Sequence, residues 1–164
     1  MAANKAKKKQ TLRNNEYYST PDLFDDLYER SQPGEVFTHL MELITSEQNI
    51  LLAYRAIKKN KGSKTNGVNS TTIVEMGEKQ PEELIAYVRK RLQNFHPHAV
   101  RRVEIPKPDG RMRPLGIPTM EDRIVQQCIK QVLEPICEAK FYKHSYGFRP
   151  NRSAHHAVAR AMFL

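Results

Sequence analysis

The segment VEIPKPDGRMRPLGIPTMEDRIVQ, residues 103–126, constrains the fold of this chain more than any other stretch. Strand-forming residues lie on both sides of the Pro-Asp-Gly sequence at 108–110. That sequence favours a three-residue hairpin loop, because Pro presets φ and Gly adopts the left-handed conformation. In this register Lys107 faces Arg111, whereas a loop one residue longer would turn the opposite face outward. The pattern therefore predicts one antiparallel hairpin with cations at its tip.

One face of the predicted hairpin changes from apolar at its base to basic at its tip. The tip carries Lys107, Arg111 and Arg113. The apolar side chains at the base are Val103, Ile105, Leu115 and Ile117. Pro106 and Pro114 remove backbone donors, so a further strand cannot easily pair near the tip. We expect the base to be packed and the tip to project.

The three tip cations suit a phosphate ligand. Arginine offers a planar fork to phosphate oxygens and lysine a compact charge, so the set fits a triphosphate or a nucleic-acid backbone. A solvated basic edge would explain the same residues. Spacing alone does not separate the two interpretations.

Charge is unevenly distributed along the chain, whose net charge is +9. Residues 51–115 hold fourteen Lys and Arg against six Asp and Glu, whereas residues 16–50 hold one against eight. This excess favours a polyanionic partner, either nucleic acid or an anionic membrane surface, and composition does not choose between them. Residues 1–20 are predicted to form a basic, disordered arm.

The sequence predicts a cytoplasmic protein with no membrane-embedded part. No apolar run approaches the roughly 20 residues of a membrane span, and the N-terminus lacks the apolar segment of a secretory signal. Cys128 and Cys137 are nine residues apart on one predicted helix, so they point to opposite sides and cannot pair. We expect two buried thiols in a reducing compartment.

Periodicity predicts an α+β fold that is mostly helical. We expect six helices. The first three run from Pro21 to Arg30, over EVFTHLMELI at 35–44, and from an N-cap at Ser46 to a C-terminal stop at Gly62. The others begin at Pro81, run from Met120 to Lys140 with Thr119 as N-cap, and begin at Ser153. A lone two-stranded hairpin is marginal in water. Either helices cover it, or it belongs to a sheet whose other strands lie outside this chain.

The carboxylates form no catalytic constellation in the sequence. Two-metal phosphoryl chemistry needs carboxylates that converge on ions about 4 Å apart, and no segment supplies such a pair in a strand-like context. Recognisable nucleophile, phosphate-loop and zinc motifs are also missing. We therefore assign no catalytic and no metal-binding residue, and the residues taken alone predict binding rather than catalysis.

Residues 101–158 resemble the opening blocks of group II intron-encoded reverse transcriptases, also called maturases. The resemblance rests on IPK, a short Gly turn, RPLGIP, a DR-I-Q helix start, LEP and SYGFRPNRS, in this order. The loop NKGSKTNGVN at 60–69 resembles the family's upstream loop. The match covers about residues 46–164, and the acidic N-terminal part fits less specifically.

The resemblance implies the fingers subdomain of a right-hand polymerase. It divides the chain into the arm at 1–20, a helical extension and template-side loop at 21–69, and incomplete fingers with the start of the palm at 70–164. The complete enzyme is expected to be an RNA-directed DNA polymerase that also assists intron splicing. Mg²⁺ is expected only there, because the family's metal-binding aspartates do not occur in this sequence. The chain alone is expected to have no polymerase activity and no cofactor.

The resemblance also implies roles for individual residues. Lys107 and Arg113, with Arg111 beside them, are expected to bind the triphosphate of the incoming dNTP. The RNA or template contacts are expected at Lys58, Lys59, Lys61, Lys64, Asn66, Arg101, Arg102, Arg149 and Arg152. The expected RNA partners are the group II intron RNA and the template-primer.

Two other functions remain open at this point. In the first, the chain is a stand-alone basic RNA-binding module or a truncated remnant without polymerase activity. In the second, it is an interaction protein that self-associates, or binds a missing partner, through uncovered hairpin and helix surfaces. The sequence does not say which intron RNA is bound.

Overall fold

The computed structural model describes residues 20–163. The elements of this range are α1 Pro21–Ser31, α2 Leu40–Ile44, α3 Glu47–Lys59, a 3-10 turn Lys61–Lys64, α4 Ile73–Glu78, α5 Pro81–Gln93, β1 Arg101–Pro106, β2 Met112–Ile117, α6 Met120–Lys140 and α7 Ala154–Met162. The predicted mostly helical α+β fold with an antiparallel hairpin is confirmed. The predicted arm at 1–20 lies outside the described residues except for Thr20.

The long helix α6 is the centre of the hydrophobic core. α1 and α3 pack along it, and α2 and α5 also contact it. Ile124, Cys128 and Val132 lie four residues apart on α6 and are fully buried, as helical periodicity requires of one face. They meet Ile50 of α3 and Leu27 of α1. Burial of each large aliphatic side chain stabilises the fold by about 1.5–3 kcal/mol.

Buried polar side chains fix how these helices meet. Asn49 on α3 donates from Nδ2 to the carbonyl oxygens of Ile44 and Cys128, both at 3.0 Å. Gln131 of α6 donates from Nε2 to Asn49 Oδ1 at 2.7 Å. Because a buried polar group without a partner costs about 1–3 kcal/mol, these bonds hold α3 in one register on α6.

Helix starts follow local sequence rules. Ser46, Thr119 and Ser153 are N-caps whose side chains accept hydrogen bonds from backbone N–H groups three residues later. The expected stop at Gly62 was wrong. α3 ends at Lys59, and Asn60 is extended, with φ −72° and ψ 143°, before the chain forms the 3-10 turn.

The helix expected over 35–44 was also wrong in its first half. Only Leu40–Ile44 is helical, and His39 before it has a left-handed φ of 62°. Arg30 binds Glu35, with Nε 3.0 Å from Oε2. This ion pair holds the start of the segment against the end of α1.

The two cysteines have different environments. Cys128 is buried and burial raises its pKa to about 12, whereas Cys137 is exposed. The expectation of two buried thiols was therefore wrong for Cys137. Nine residues rotate the helix by about 900°, which places the second cysteine on the side away from the core.

The hairpin has the predicted register. Val103 pairs with Leu115 and Ile105 with Arg113. The Lys107 N–H donates to the Arg111 carbonyl at 2.8 Å, and Gly110 has φ 79° in the loop. The packing expected at its base is partial. Val103 and Ile117 are half-buried, whereas the expectation was wrong for Ile105, which is 40% exposed, and Leu115, which is 38% exposed. A larger sheet stays a prediction.

No helix in residues 20–163 is long and apolar enough to cross a membrane.

Candidate nucleotide and nucleic-acid interface

The hairpin tip presents two exposed cations on one face. Lys107 continues the face of β1 that carries Ile105, and Arg113 pairs directly with Ile105 across the hairpin. The Lys107 and Arg113 side chains make no ion pair or side-chain hydrogen bond with other residues of 20–163. Both charges are therefore available to an anionic ligand.

Arg111 differs from the other two tip cations because it is paired with Asp109. Its Nε and Nη2 donate to Asp109 Oδ2 at 2.9 and 2.7 Å, and its backbone N–H donates to Oδ1 at 3.0 Å. These hydrogen bonds hold the pKa of Asp109 below its usual value. Among residues 20–163, the tip therefore carries two unpaired positive charges and one that Asp109 balances.

The lysines at the end of α3 and in the 3-10 turn are all exposed. They are Lys58, Lys59, Lys61 and Lys64. The Lys58 ammonium lies 5.7 Å from the centre of the Tyr54 ring. Cations in the last turn also stabilise the helix dipole, so Lys58 and Lys59 have a structural explanation in addition to any ligand.

Two side-chain contacts attach the loop at 60–69 to the hairpin and α6. Arg101, at the start of β1, donates from Nε to the Asn66 carbonyl oxygen at 3.1 Å. Asn69 donates from Nδ2 to Glu121 Oε1 at 2.9 Å. The loop that resembles a template-side element therefore lies at the base of the hairpin.

A glycine and an arginine that the sequence analysis did not single out complete this attachment. Gly67 lies so close to α6 that a Cβ there would be 2.7 Å from Thr119 Cα. Arg123 donates from Nη1 to the Gly62 carbonyl at 2.9 Å and from Nε to the Pro118 carbonyl at 3.2 Å. In the sequence, Arg123 stands out only as part of the DR motif. Its contact with Gly62, 61 residues earlier, has no signal in the local sequence.

The remaining predicted RNA contacts lie in different surroundings. Arg102 faces the opposite side of β1 from Lys107 and pairs with Glu104 at 2.9 Å. Arg152 lies 5.8 Å from the centre of the Tyr146 ring. Both are exposed. Their contacts with RNA stay predictions.

Arg149 is bound inside the protein. Only 6% of its side chain is exposed. Its Nε donates to Glu138 at 2.9 Å, and its Nη1 donates to the carbonyl oxygens of Tyr142 and Ser145 at 2.8 and 2.9 Å. This placement favours a structural role, in which Arg149 holds the loop after α6 in position.

Asp122 forms a buried polar cluster that the sequence analysis missed. It lies three residues after Thr119, the N-cap of α6. The Asp122 carboxylate accepts from Arg91 Nη2 and the His98 backbone N–H, both at 2.7 Å. Burial raises the pKa of Asp122, but the hydrogen bonds from His98 and Arg91 outweigh it and the net shift is downward.

Residues 105–163 match the family model described as "Reverse transcriptase (RNA-dependent DNA polymerase)". The chain is 40% identical to Protein YkfC of Escherichia coli over 130 residues, which cover 78% of this chain and 34% of that protein. It is 36% identical to the Group II intron-encoded protein LtrA of Lactococcus lactis over 125 residues, covering 76% and 20%. It is 35% identical over 121 residues to the Putative COX1/OXI3 intron 2 protein of Saccharomyces cerevisiae, covering 74% and 14%.

The chain belongs to the intron-encoded reverse transcriptases and maturases. It spans about a third of the first of these relatives and less of the other two. The reverse transcriptase match begins at Ile105, so it includes both unpaired cations of the hairpin tip. The 60–69 loop precedes that match.

The described part of this chain does not fit a Mg²⁺ site of its own. Within residues 20–163, no three His, Cys, Asp or Glu side chains come together as metal ligands. The Asp122 carboxylate is occupied by Arg91 and His98, and Asp109 by Arg111. We therefore assign no step of phosphoryl transfer to a metal held by these residues.

Proposed function

We propose that this chain is the nucleotide- and RNA-binding fingers part of an intron-encoded reverse transcriptase. In it, Lys107 and Arg113 bind the triphosphate of the incoming deoxynucleotide. The 60–69 loop and the exposed cations around it lie against template or intron RNA. The observation that most directly supports this proposal concerns Lys107 and Arg113. Their side chains lie on one hairpin face, unpaired among residues 20–163, and within the residues that match the reverse transcriptase family.

The geometry suits this role for two physical reasons. Paired strands with Pro106 and Pro114 limit the backbone freedom lost when a ligand binds. A lysine and an arginine on one face supply a point charge and a planar fork for neighbouring phosphate oxygens. In the complete enzyme, the same cations would stabilise the negative charge on the phosphates during DNA synthesis.

Nucleotide binding tests the proposal with Lys107→Gln and Arg113→Gln. Each substitution should weaken binding of a fluorescent deoxynucleoside triphosphate roughly tenfold, because a charge-assisted hydrogen bond is lost. Arg111→Gln is the charge-matched control on the same hairpin. Its effect should be smaller, since Asp109 already holds the Arg111 guanidinium. Equal losses in all three variants would show that only net charge matters and would contradict the proposal.

Comparing nucleotide and RNA binding separates this function from a general RNA-binding module. In the Lys107→Gln/Arg113→Gln double variant, nucleotide affinity should fall much more than affinity for single-stranded RNA. In the longer protein, primer extension should likewise fall more than RNA affinity. Parallel losses of RNA and nucleotide affinity would instead favour a stand-alone RNA-binding module.

A further inference from the structure

Two arginines attach the 60–69 loop to the hairpin and to the start of α6. Arg101 begins β1, on the face that leads to Lys107, and binds the Asn66 carbonyl. Arg123 lies in the first turns of α6 and binds the carbonyls of Gly62 and Pro118. Both guanidinium groups are partly buried and hold parts of the same loop.

Neither arginine forms an ion pair with a carboxylate of residues 20–163. The hydrogen bonds of Arg101 and Arg123 all go to backbone carbonyl oxygens, and neither residue forms an ion pair with a described Asp or Glu. Burial lowers the pKa of Arg123, and the nearby charge of Arg101 lowers it further. Two like charges that hold the same loop, neither ion-paired with a carboxylate of residues 20–163, favour a positive local potential.

Both arginines keep donors for a ligand. Arg101 uses Nε and Arg123 uses Nε and Nη1 in contacts with described residues. Since a guanidinium has five N–H donors, Arg123 Nη2 and both terminal nitrogens of Arg101 remain without an acceptor among residues 20–163. Planar guanidinium groups of this kind fit phosphate oxygens.

The position of the pair favours a nucleic-acid strand over a single nucleotide. Arg101 begins β1 and Lys107 directly follows that strand, so six residues separate them by about 20 Å at 3.3 Å per residue. A polymer with one phosphate per nucleotide can contact both places. The exposed Lys61 and Lys64 flank Gly62, the residue held by Arg123, and extend the positive surface on the loop.

We propose that Arg101 and Arg123 together bind one backbone phosphate of an RNA strand at the junction of the 60–69 loop and the hairpin. This proposal rests on the RNA binding proposed above and adds Arg123 to it. In this arrangement Arg123 positions the loop through Gly62 and also contacts the ligand. The loop and the hairpin then present one continuous RNA-binding surface.

Binding of fluorescein-labelled oligouridine, followed by anisotropy from about 50 to about 200 mM salt, tests the site. One lost phosphate contact should reduce the slope of log affinity against log salt by about 0.7 in Arg101→Gln/Arg123→Gln, and weaken binding about fivefold at 0.1 M salt. Lys130→Gln is the matched control on α6, because Glu134 already pairs with Lys130 at 3.6 Å. It should leave the slope unchanged.

Each other outcome has a defined meaning. If the unmodified chain binds with a steep slope and the double variant matches it in slope and affinity, the phosphate site is overturned while RNA binding stands. If the unmodified chain shows no salt-dependent binding, the proposed RNA-binding function itself fails. An equal loss of deoxynucleoside triphosphate affinity in the double variant would assign the arginines to the nucleotide and overturn the RNA site.

Two single variants separate ligand contact from loop positioning. Arg101→Gln leaves the hydrogen bond from Arg123 to Gly62 in place. If circular dichroism shows that variants with Arg123→Gln do not fold, Arg101→Gln is the variant that tests the phosphate site. Arg101→Gln should reduce affinity and slope, whereas an unchanged slope would overturn the proposal. Arg123→Lys keeps the positive charge but loses the planar guanidinium, so most of the slope of log affinity against log salt should be retained. A purely structural role predicts a different result. Folded variants, Arg101→Gln included, would then bind RNA more weakly with no change in that slope.

Discussion

Asp122 has 3% of its side chain exposed, yet its carboxylate accepts hydrogen bonds from two separate segments. Arg91 comes from α5, and His98 comes from the linker before β1. The same turn of α6 carries Arg123, which holds the 60–69 loop. The start of α6 therefore sets the position of the hairpin, the linker and the loop together.

Asp122→Ala should destabilise the chain by about 3 kcal/mol, since it leaves the partly buried Arg91 without its carboxylate. Urea unfolding followed by circular dichroism measures this difference. The matched control is Asp25→Ala on the exposed side of α1, which should change the free energy of unfolding by less than about 0.5 kcal/mol. Similar losses in the two variants would show that the Asp122 cluster contributes little.

The lowered pKa of Asp122 fixes the direction of the pH effect. Its contribution to stability is fully present above the unfolded-state value of about 3.9 and is lost as pH falls through the lower folded-state pKa. The difference in stability between the unmodified chain and Asp122→Asn should therefore shrink on acidification below about pH 4. A difference that stays constant over this range would contradict the assignment.

The hairpin and the 60–69 loop are elements of different kinds. The hairpin follows from local sequence, because the Pro-Asp-Gly loop and the alternation of side chains set its register. The loop depends on distant partners, namely Arg101, Glu121 and the backbone of Thr119. Its predicted location near a template strand depends on these contacts.

Gly67→Ala should detach this loop. The added Cβ would lie 2.7 and 2.8 Å from Thr119 Cα and N, which are backbone atoms that cannot rotate away. Overpacking of this kind costs about 1–3 kcal/mol, so amide hydrogen exchange in the loop should accelerate and RNA affinity should fall.

Gly62→Ala is the control in the same loop, since a Cβ there meets nothing within 4 Å. It should leave hydrogen exchange and RNA affinity close to those of the unmodified chain. If both glycine variants behave alike, close packing on Thr119 does not hold the loop.

On the scale of the whole molecule, apolar surface is concentrated at the far end of α6. Leu133, Cys137, Phe141 and Phe148 line one surface cavity of about 250 Å³. Phe148 is fully exposed, and α7 buries none of its described residues. Exposed apolar side chains grouped in one place are a feature of surfaces that contact other proteins.

We expect this patch to drive self-association of the 164-residue chain. Sedimentation velocity should show an average mass that rises with protein concentration, and Leu133→Ser/Phe148→Ser should reduce the rise. The control Val36→Ser removes an apolar side chain that is 84% exposed but lies between α1 and α2. A clean monomer at every concentration would argue against self-association through this patch.

The sequence by itself determined the local features of this protein. Ser46, Thr119 and Ser153 cap their helices because side-chain and backbone groups three residues apart meet in any helix start. The alternation of side chains between the two faces of a strand, together with the Pro-Asp-Gly loop, determined which hairpin face carries Lys107 and Arg113. The motif order was also enough to predict the family.

Only the tertiary structure decided which charged side chains are free to bind a ligand and which are already bound by other residues. Arg149 is held by Glu138, Asp122 by residues 24 and 31 positions earlier, and Arg123 by a carbonyl 61 positions earlier. The sequence shows that these residues are charged, but not which partners approach within hydrogen-bonding distance. That proximity results from how the helices pack around α6, where burial makes each uncompensated charge costly.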